Sequence, residues 1–221
     1  MADLVLLSTL GVVGVLRQAL PGFGGTVDGR YGPTAGMLER IRGGERGDVA
    51  ILTAEGIEAL TAEGVLAAGT RVDLAASSVG IAVKAGAPKP DISTEEAFIR
   101  LLKEVPSLAY SRAGASGIYF AGLLERLGLA AEVNAKATIT QGFTAERVAR
   151  GETVIAVQQI SELMAVEGVE IVGPLPPTLQ TSVIFSGALF AGAAPAAAGL
   201  LRFIAEAATP ALLRSKGLEP A

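Results

Sequence analysis

The stretch Tyr110–Gly128, YSRAGASGIYFAGLLERLG, decides how the rest of the chain is read. An apolar run, Leu108–Ser111, leads into it. A turn of small residues follows, and then apolar residues recur at helical spacing over Ile118–Leu127. A small-residue turn directly ahead of a helix leaves backbone N–H groups bare at the end of the macrodipole that favours negative charge, and Ser116 adds a hydroxyl. The stretch reads as a seat for an anion.

The same device recurs at Tyr31–Ile41, YGPTAGMLERI, where Thr34 is read as the cap of a helix running to Arg42. A weaker copy is Leu4–Gly11, LVLLSTLG, with Ser8 and Thr9 between an apolar strand and an apolar helical run. One such turn is ordinary, because Ser and Thr cap helices everywhere and mostly bind their own backbone. Three of them in one chain of alternating strands and helices imply a shared ligand.

Composition narrows the chemistry. The chain of 221 residues is half hydrophobic, enough for a sizeable core in one domain or two small ones. Its net charge is −4 and its 18 basic residues are scattered, which argues against nucleic acid and anionic membrane as partners. With no cysteine there is no disulfide, zinc-thiolate site or thiol nucleophile. With no histidine the commonest general base and most transition-metal sites are gone as well. Neither a metal nor a cofactor is expected, and any catalysis rests on carboxylates, Lys, Tyr or backbone dipoles.

The apolar run Leu4–Leu16 follows Asp3, has no basic segment before it and no small-residue cleavage site before Arg17, so it reads as a first strand and helix rather than a leader. As written the protein is expected in the cytoplasm, or in the periplasm if a leader has been removed. The uncharged run Ile171–Leu201 is long enough to span a bilayer, but Pro174, Pro176, Pro177 and Pro195 interrupt it, so no membrane insertion is expected.

Further along, Asp48–Leu52 is a buried strand, Thr53 caps the next helix, and Ser93-Thr94-Glu95-Glu96 opens an amphipathic helix through Glu104. Asn134–Thr140 reads as a polar strand, Thr144 as the cap of a short helix, and Val154–Val157 as a strand. Strands alternating with helices imply an α/β fold with parallel-rich sheets flanked by helices. Ser78–Val83 and Gly173–Gly187 look like crossings between lobes. They divide the chain into one lobe of residues 1–83 plus 177–221 and another of residues 84–176, joined by a hinge of two crossing strands with the ligand in the cleft.

These residues resemble the two-lobed periplasmic binding proteins of the second structural type, and within them the molybdate-binding-protein-like group. The carriers are LLSTLG, GPTAGMLERIRGGERGDVAIL, RVDLAASSVGIAVKAG, AYSRAGASGIYFAGLLERLGL and LLRSKGLEPA, which together span essentially the whole chain. The resemblance implies a monomer that holds a small anion with hydroxyls and backbone N–H groups from both lobes and works with an ABC permease. Carried over by position, the donors are Ser8, Thr9, Thr34, Ala35, Gly36, Ser78, Ala115, Ser116 and Gly117, with Gln159 and Ser161 from the turn after the strand near residue 157. This chain has Pro33-Thr34-Ala35 where molybdate binders place a Ser pair, and Gln158-Gln159 where a tyrosine-bearing turn is common. Both departures point to a ligand other than molybdate, larger or carboxylated.

The same fold group is similar to the aconitate isomerases, which implies an alternative: moving a double bond in an unsaturated carboxylic acid. Such chemistry needs a base near an acidic C–H and cations or dipoles for the carboxylates. Arg112 in the central turn is the cation, and Glu39, Tyr119 and Glu162 are the candidate proton handlers. Each has a plainer reading, with Glu39 on a solvated helix face, Glu162 offsetting a helix dipole and Arg112 a surface charge.

Overall fold

A computed structural model describes residues 4–221; Asp3, on which the reading of the N-terminus turned, lies outside them. In chain order the strands are β1 (Leu4–Thr9), β2 (Val27–Gly32), β3 (Val49–Thr53), β4 (Val72–Lys84), β5 (Leu108–Tyr110), β6 (Ala137–Ile139), β7 (Ile155–Gln159), β8 (Val169–Pro174) and β9 (Ser182–Leu189). The α-helices are α1 (Val13–Ala19), α2 (Thr34–Arg42), α3 (Ala54–Ala62), α4 (Glu95–Glu104), α5 (Ala115–Arg126), α6 (Ala130–Asn134), α7 (Ala145–Ala149), α8 (Ile160–Leu163), α9 (Ala197–Ala207) and α10 (Pro210–Ser215). They form a mixed α/β fold in two compact units, one of Met1–Ser77 with Val183–Ala221 and the other of Ser78–Ser182. The chain passes from one to the other within β4 and again at the start of β9.

In the first unit β1 lies between β2 and β3, all parallel, and β9 adds antiparallel to β3. Leu4 and Leu6 join a core with Val12, Leu16, Phe185 and Leu200, whereas Leu7 joins Met37, Ile41 and Leu60. Successive strand side chains point to opposite faces, so a strand covered by helices on both sides is apolar at every position. That is why LVLL and VAIL are unbroken hydrophobic runs. In the second unit the order is β8, β4, β7, β5, β6, with β5 parallel to both β6 and β7, and β4 antiparallel to β7 and β8. Val79, Ile81, Ile155 and Val157 face one core with Phe98, Tyr110 and Phe120, while Ala82 and Ala156 face a smaller one with Val148 and Leu163.

The local signals resolve unevenly. Thr53, Thr94 and Thr209 cap their helices as their hydroxyls accept from Gly56, Ala97 and Leu212 N–H. Thr34 does not cap: it is the first residue of α2, the cap position belongs to Pro33, and no side-chain cap bond is made. Thr144 stands at the cap of α7, yet its hydroxyl donates to Gln158 Oε1 at 2.8 Å instead. α5 begins at Ala115 rather than Ile118, and the expected polar strand at 134–140 divides into the end of α6 and the short β6. The uncharged run 171–201 becomes the end of β8, a single 3-10 turn, β9 and the start of α9; among the described residues no helix is long and apolar enough to cross a membrane.

Asp48 ties the first unit together. Its carboxylate accepts from Val5 N–H at 2.8 Å and Ala194 N–H at 3.1 Å, while its own N–H donates to Val5 and its carbonyl accepts from Phe190. One side chain therefore joins β1, the entry to β3 and the segment after β9. Replacing Asp48 by Ala removes both charge-assisted acceptors, and we expect a loss of ~2 kcal/mol in urea unfolding, with Asp48→Asn recovering part of it.

Candidate functional site

Helices cover the strands of each unit, so polar backbone meets solvent at the strand ends, and in sheets of this type ligands gather at the carboxyl ends of the parallel strands. In the first unit that edge carries Ser8, opposite Tyr31 and Ile51, and Thr9, opposite Gly32. Ser8 is fully buried and its hydroxyl donates to Thr9 C=O at 3.0 Å. Thr9 Oγ1 is buried without a hydrogen-bond partner among the described residues, a state that costs about 1–3 kcal/mol until something fills it.

α2 starts beside them. Its first backbone bond runs from Met37 N–H to Pro33 C=O at 2.9 Å, so the N–H groups of Thr34, Ala35 and Gly36 lie ahead of the hydrogen-bonded ladder. All three residues are partly exposed. An uncapped helix start at the carboxyl end of a parallel sheet is suited to an anion.

The second unit repeats the arrangement. After β5, Ser111 Oγ accepts from Ala113 N–H at 3.1 Å and orders the turn into α5. Gly117 and Ile118 N–H both donate to Gly114 C=O, at 3.1 and 3.0 Å, leaving the Ala115 and Ser116 amides ahead of the ladder. The expected amide of Gly117 is therefore already taken. Its contribution is steric: a Cβ there would stand 1.4 Å from the Ser111 carbonyl oxygen, so only glycine lets the helix start fold this closely over the strand end. Ser116 is buried beneath it.

Gln159 ends β7 and Ser161 lies in the first turn of α8 directly after it, both buried, and Gln159 pairs with Val79, next to Ser78 on β4. Neighbouring Gln158 is fully engaged: its Oε1 accepts from Thr144 N–H and hydroxyl, both at 2.8 Å, and its Nε2 donates to Gly142 C=O at 2.9 Å. The structure thus gathers Ser8, Thr9, Thr34, Ala35 and Gly36 at one edge of the first unit. Ser78, Arg112, Ala115, Ser116, Gln159 and Ser161 gather at the edge of the second.

The proton-handling candidates separate. Glu39 is exposed on α2, as its plainer reading had it. The Tyr119 hydroxyl donates to Leu179 C=O at 2.9 Å and carries the Arg126 guanidinium 5.4 Å from its ring, so its proton is committed. Glu162 is not a solvated first-turn charge but a buried carboxyl whose Oε2 has no partner. Burial pushes its pKa up to about 8, against the opposing hydrogen bond from Gln158, so it is largely protonated at neutral pH. Nothing local in the sequence announces this burial. Among the described residues no His, Cys, Asp or Glu cluster could hold a metal.

The profile of the family described as bacterial extracellular solute-binding protein matches residues 18–219. The aconitate isomerase of a Pseudomonas species is 35% identical over 230 residues, covering 98% of this chain and 87% of that protein. Among solved structures, the periplasmic molybdate-binding protein of Azotobacter vinelandii matches with a TM-score of 0.78 at 17% identity, covering 99% of each chain. The sulfate-binding protein of Mycobacterium tuberculosis matches with 0.71 at 16%, covering all of this chain and 88% of that one. At such identities the structural likenesses carry the fold and nothing about the ligand.

The buried Glu162 has a consequence for stability. The folded chain keeps this proton up to a pH of about 8, whereas the unfolded chain releases it near 4.5, so unfolding liberates a proton throughout that window. The group's contribution therefore falls as pH rises between those values, by at most ~1.4 kcal/mol per pH unit, and levels off above. Urea melts across the window should show that Glu162→Gln flattens the slope and gains most over the parent at its alkaline end.

Proposed function

We propose that this chain, which belongs to the bacterial extracellular solute-binding protein family, binds a small anion by closing its two units on it. The observation that carries this reading is the pair of uncapped helix starts, at Thr34–Gly36 and Ala115–Ser116, each standing at the carboxyl end of its own unit's parallel strands among buried hydroxyls. Neutral N–H and O–H donors hold an anion without neutralising it by a counter-charge. A site of this kind discriminates by shape and by the ligand's state of protonation, because a ligand proton with no acceptor is penalised. Donors divided between two units make affinity depend on closure. The protein would then serve as the substrate-binding component of a transport or sensing system, handing its ligand to a permease.

A second reading is favoured by the 35% identity to an aconitate isomerase over nearly the whole chain. Shifting a double bond between neighbouring carbons takes a proton from one carbon and returns one to another, with no net change in atoms or electrons. A single group able to take and give a proton near neutral pH suffices. Glu162, one residue beyond Ser161 and with its pKa raised to about 8, is matched to that task.

A thermal-shift screen of inorganic oxyanions and of mono-, di- and tricarboxylates tests the binding reading. We expect a clear rise in Tm with at least one of them, and silence from all at about millimolar concentration would count decisively against it. Thr34→Ala and Ser116→Ala should each weaken binding of the responding ligand by ~1–2 kcal/mol. Incubation with cis- or trans-aconitate, followed by proton NMR, tests the second reading. Interconversion that disappears in Glu162→Gln supports it, and unchanged substrate returns the chain to binding alone.

A further inference from the structure

Arg112, like Arg46 and Arg126, is held without a carboxylate. Most of the restrained arginines of this chain are fixed by carboxylates: Arg40 by Glu45, Arg42 by Glu63, Arg147 and Arg150 by Glu152, Arg214 by Glu219. Each of those charges is neutralised as it is positioned. Arg112 is fixed by a neutral group instead. Its Nε donates to the Tyr110 hydroxyl at 3.2 Å, and its guanidinium carbon lies 5.9 Å from the centre of the Tyr110 ring. No carboxylate pairs with it among the described residues, and its two terminal nitrogens carry no partner there.

The support beneath it is rigid. Tyr110 ends β5, is fully buried, and meets Phe120 of α5 edge-on at 5.1 Å between ring centres. Its hydroxyl donates to Asn134 Oδ1, at the end of α6, at 2.6 Å. Having given its proton to Asn134, the phenol oxygen can only accept from Arg112, which fixes the direction of both bonds. The result is an exposed guanidinium with its fork unspent, two residues before Gly114, which holds the cap position of α5 without a side chain to cap it.

The same edge leaves apolar surface in water. Ile118, in the first turns of α5, is 53% exposed, and Ile139, paired in register with Tyr110 at the end of β6, is 43% exposed. An inorganic oxyanion has no hydrocarbon to place against them. A carbon skeleton carrying separated carboxylates does, and the planar guanidinium fork matches a planar carboxylate in two parallel hydrogen bonds.

We infer that Arg112, positioned by the Tyr110–Asn134 pair, selects organic di- or tricarboxylates over inorganic oxyanions, taking one carboxylate while the uncharged donors of the α5 turn take another. The inference rests on the anion-binding reading above and names its substrate class. Arg112 is the specificity-determining residue, and Tyr110 and Asn134 are positioning residues.

Calorimetric titration of the purified chain with citrate, trans-aconitate, acrylate, sulfate and molybdate tests it. In the parent a tricarboxylate should bind at least tenfold more tightly than sulfate or molybdate. Arg112→Gln should lower tricarboxylate affinity by tenfold or more while moving sulfate or acrylate by no more than about twofold, and Arg112→Lys should fall between. Tyr110→Phe, confirmed as folded by its circular dichroism and Tm, should narrow the ratio of tricarboxylate to acrylate affinity three- to tenfold, which a purely structural loss would leave unchanged. If the parent prefers an inorganic oxyanion, or if Arg112→Gln keeps its tricarboxylate affinity, this inference is overturned and the anion-binding reading survives. If no anion binds at all, both fall together.

Discussion

Burial of the parallel strands on both faces is the constraint from which the rest of the structure follows. Leu6 and Leu7, adjacent in sequence, enter separate cores because helices cover the sheet of the first unit above and below; Val157 and Ala156 do the same in the second. A polar side chain placed within such a strand would be stranded between two apolar layers. Polar groups accordingly collect where the strands end, at Ser8 and Thr9, at Ser111, and at Gln158 and Gln159. The polar edge of each unit is thus a by-product of how its core is closed.

Given that edge, each helix start is shaped by how its first turn meets the strand below. At α5 the contact is between Gly117 and the Ser111 carbonyl oxygen, too close for any side chain, and it lets the helix begin directly over the strand end. Gly11 does the equivalent work in the first unit, where a Cβ would fall 2.1 Å from the Phe185 ring. These glycines are required by proximity rather than by an unusual φ. Gln158 plays the complementary part in the smaller core, where one amide satisfies Thr144 twice and Gly142 once and so pins the 142–144 loop to β7.

The sequence disclosed most of what is local and little of what is not. Unbroken apolar runs marked β1 and β3, and hydroxyl caps marked the starts of α3 and α4, because each of those signals acts within a few residues. Thr34 misled because a hydroxyl before a helical pattern is also what a first helical residue looks like when Pro33 holds the cap position. α5 was read as starting late because its Gly and Ser residues have poor helix propensity, and the Gly117–Ser111 contact that overrides it is tertiary. The same holds for the candidate site. Its small-residue turns could be read off directly, but the burial of Glu162 among the elements packed around β7 could not. Nor could the Tyr110–Asn134 bond, which joins residues 24 apart.

Restraint and neutralisation are usually the same event for an arginine, and their separation at Arg112 is what gives the second unit's edge its character. A guanidinium fixed by a carboxylate is ordered but has its charge offset; one left loose keeps its field but must lose side-chain freedom on binding. A phenol hydroxyl with its own proton already donated elsewhere avoids both costs, because it offers only a lone pair and carries no charge. Among the described residues the first unit's edge has no such device: Ser8, Thr9 and the α2 amides are all neutral, and Arg30 and Arg40 share Glu45. The second unit's edge therefore sets a charge beside its dipoles, and the first unit's edge offers dipoles.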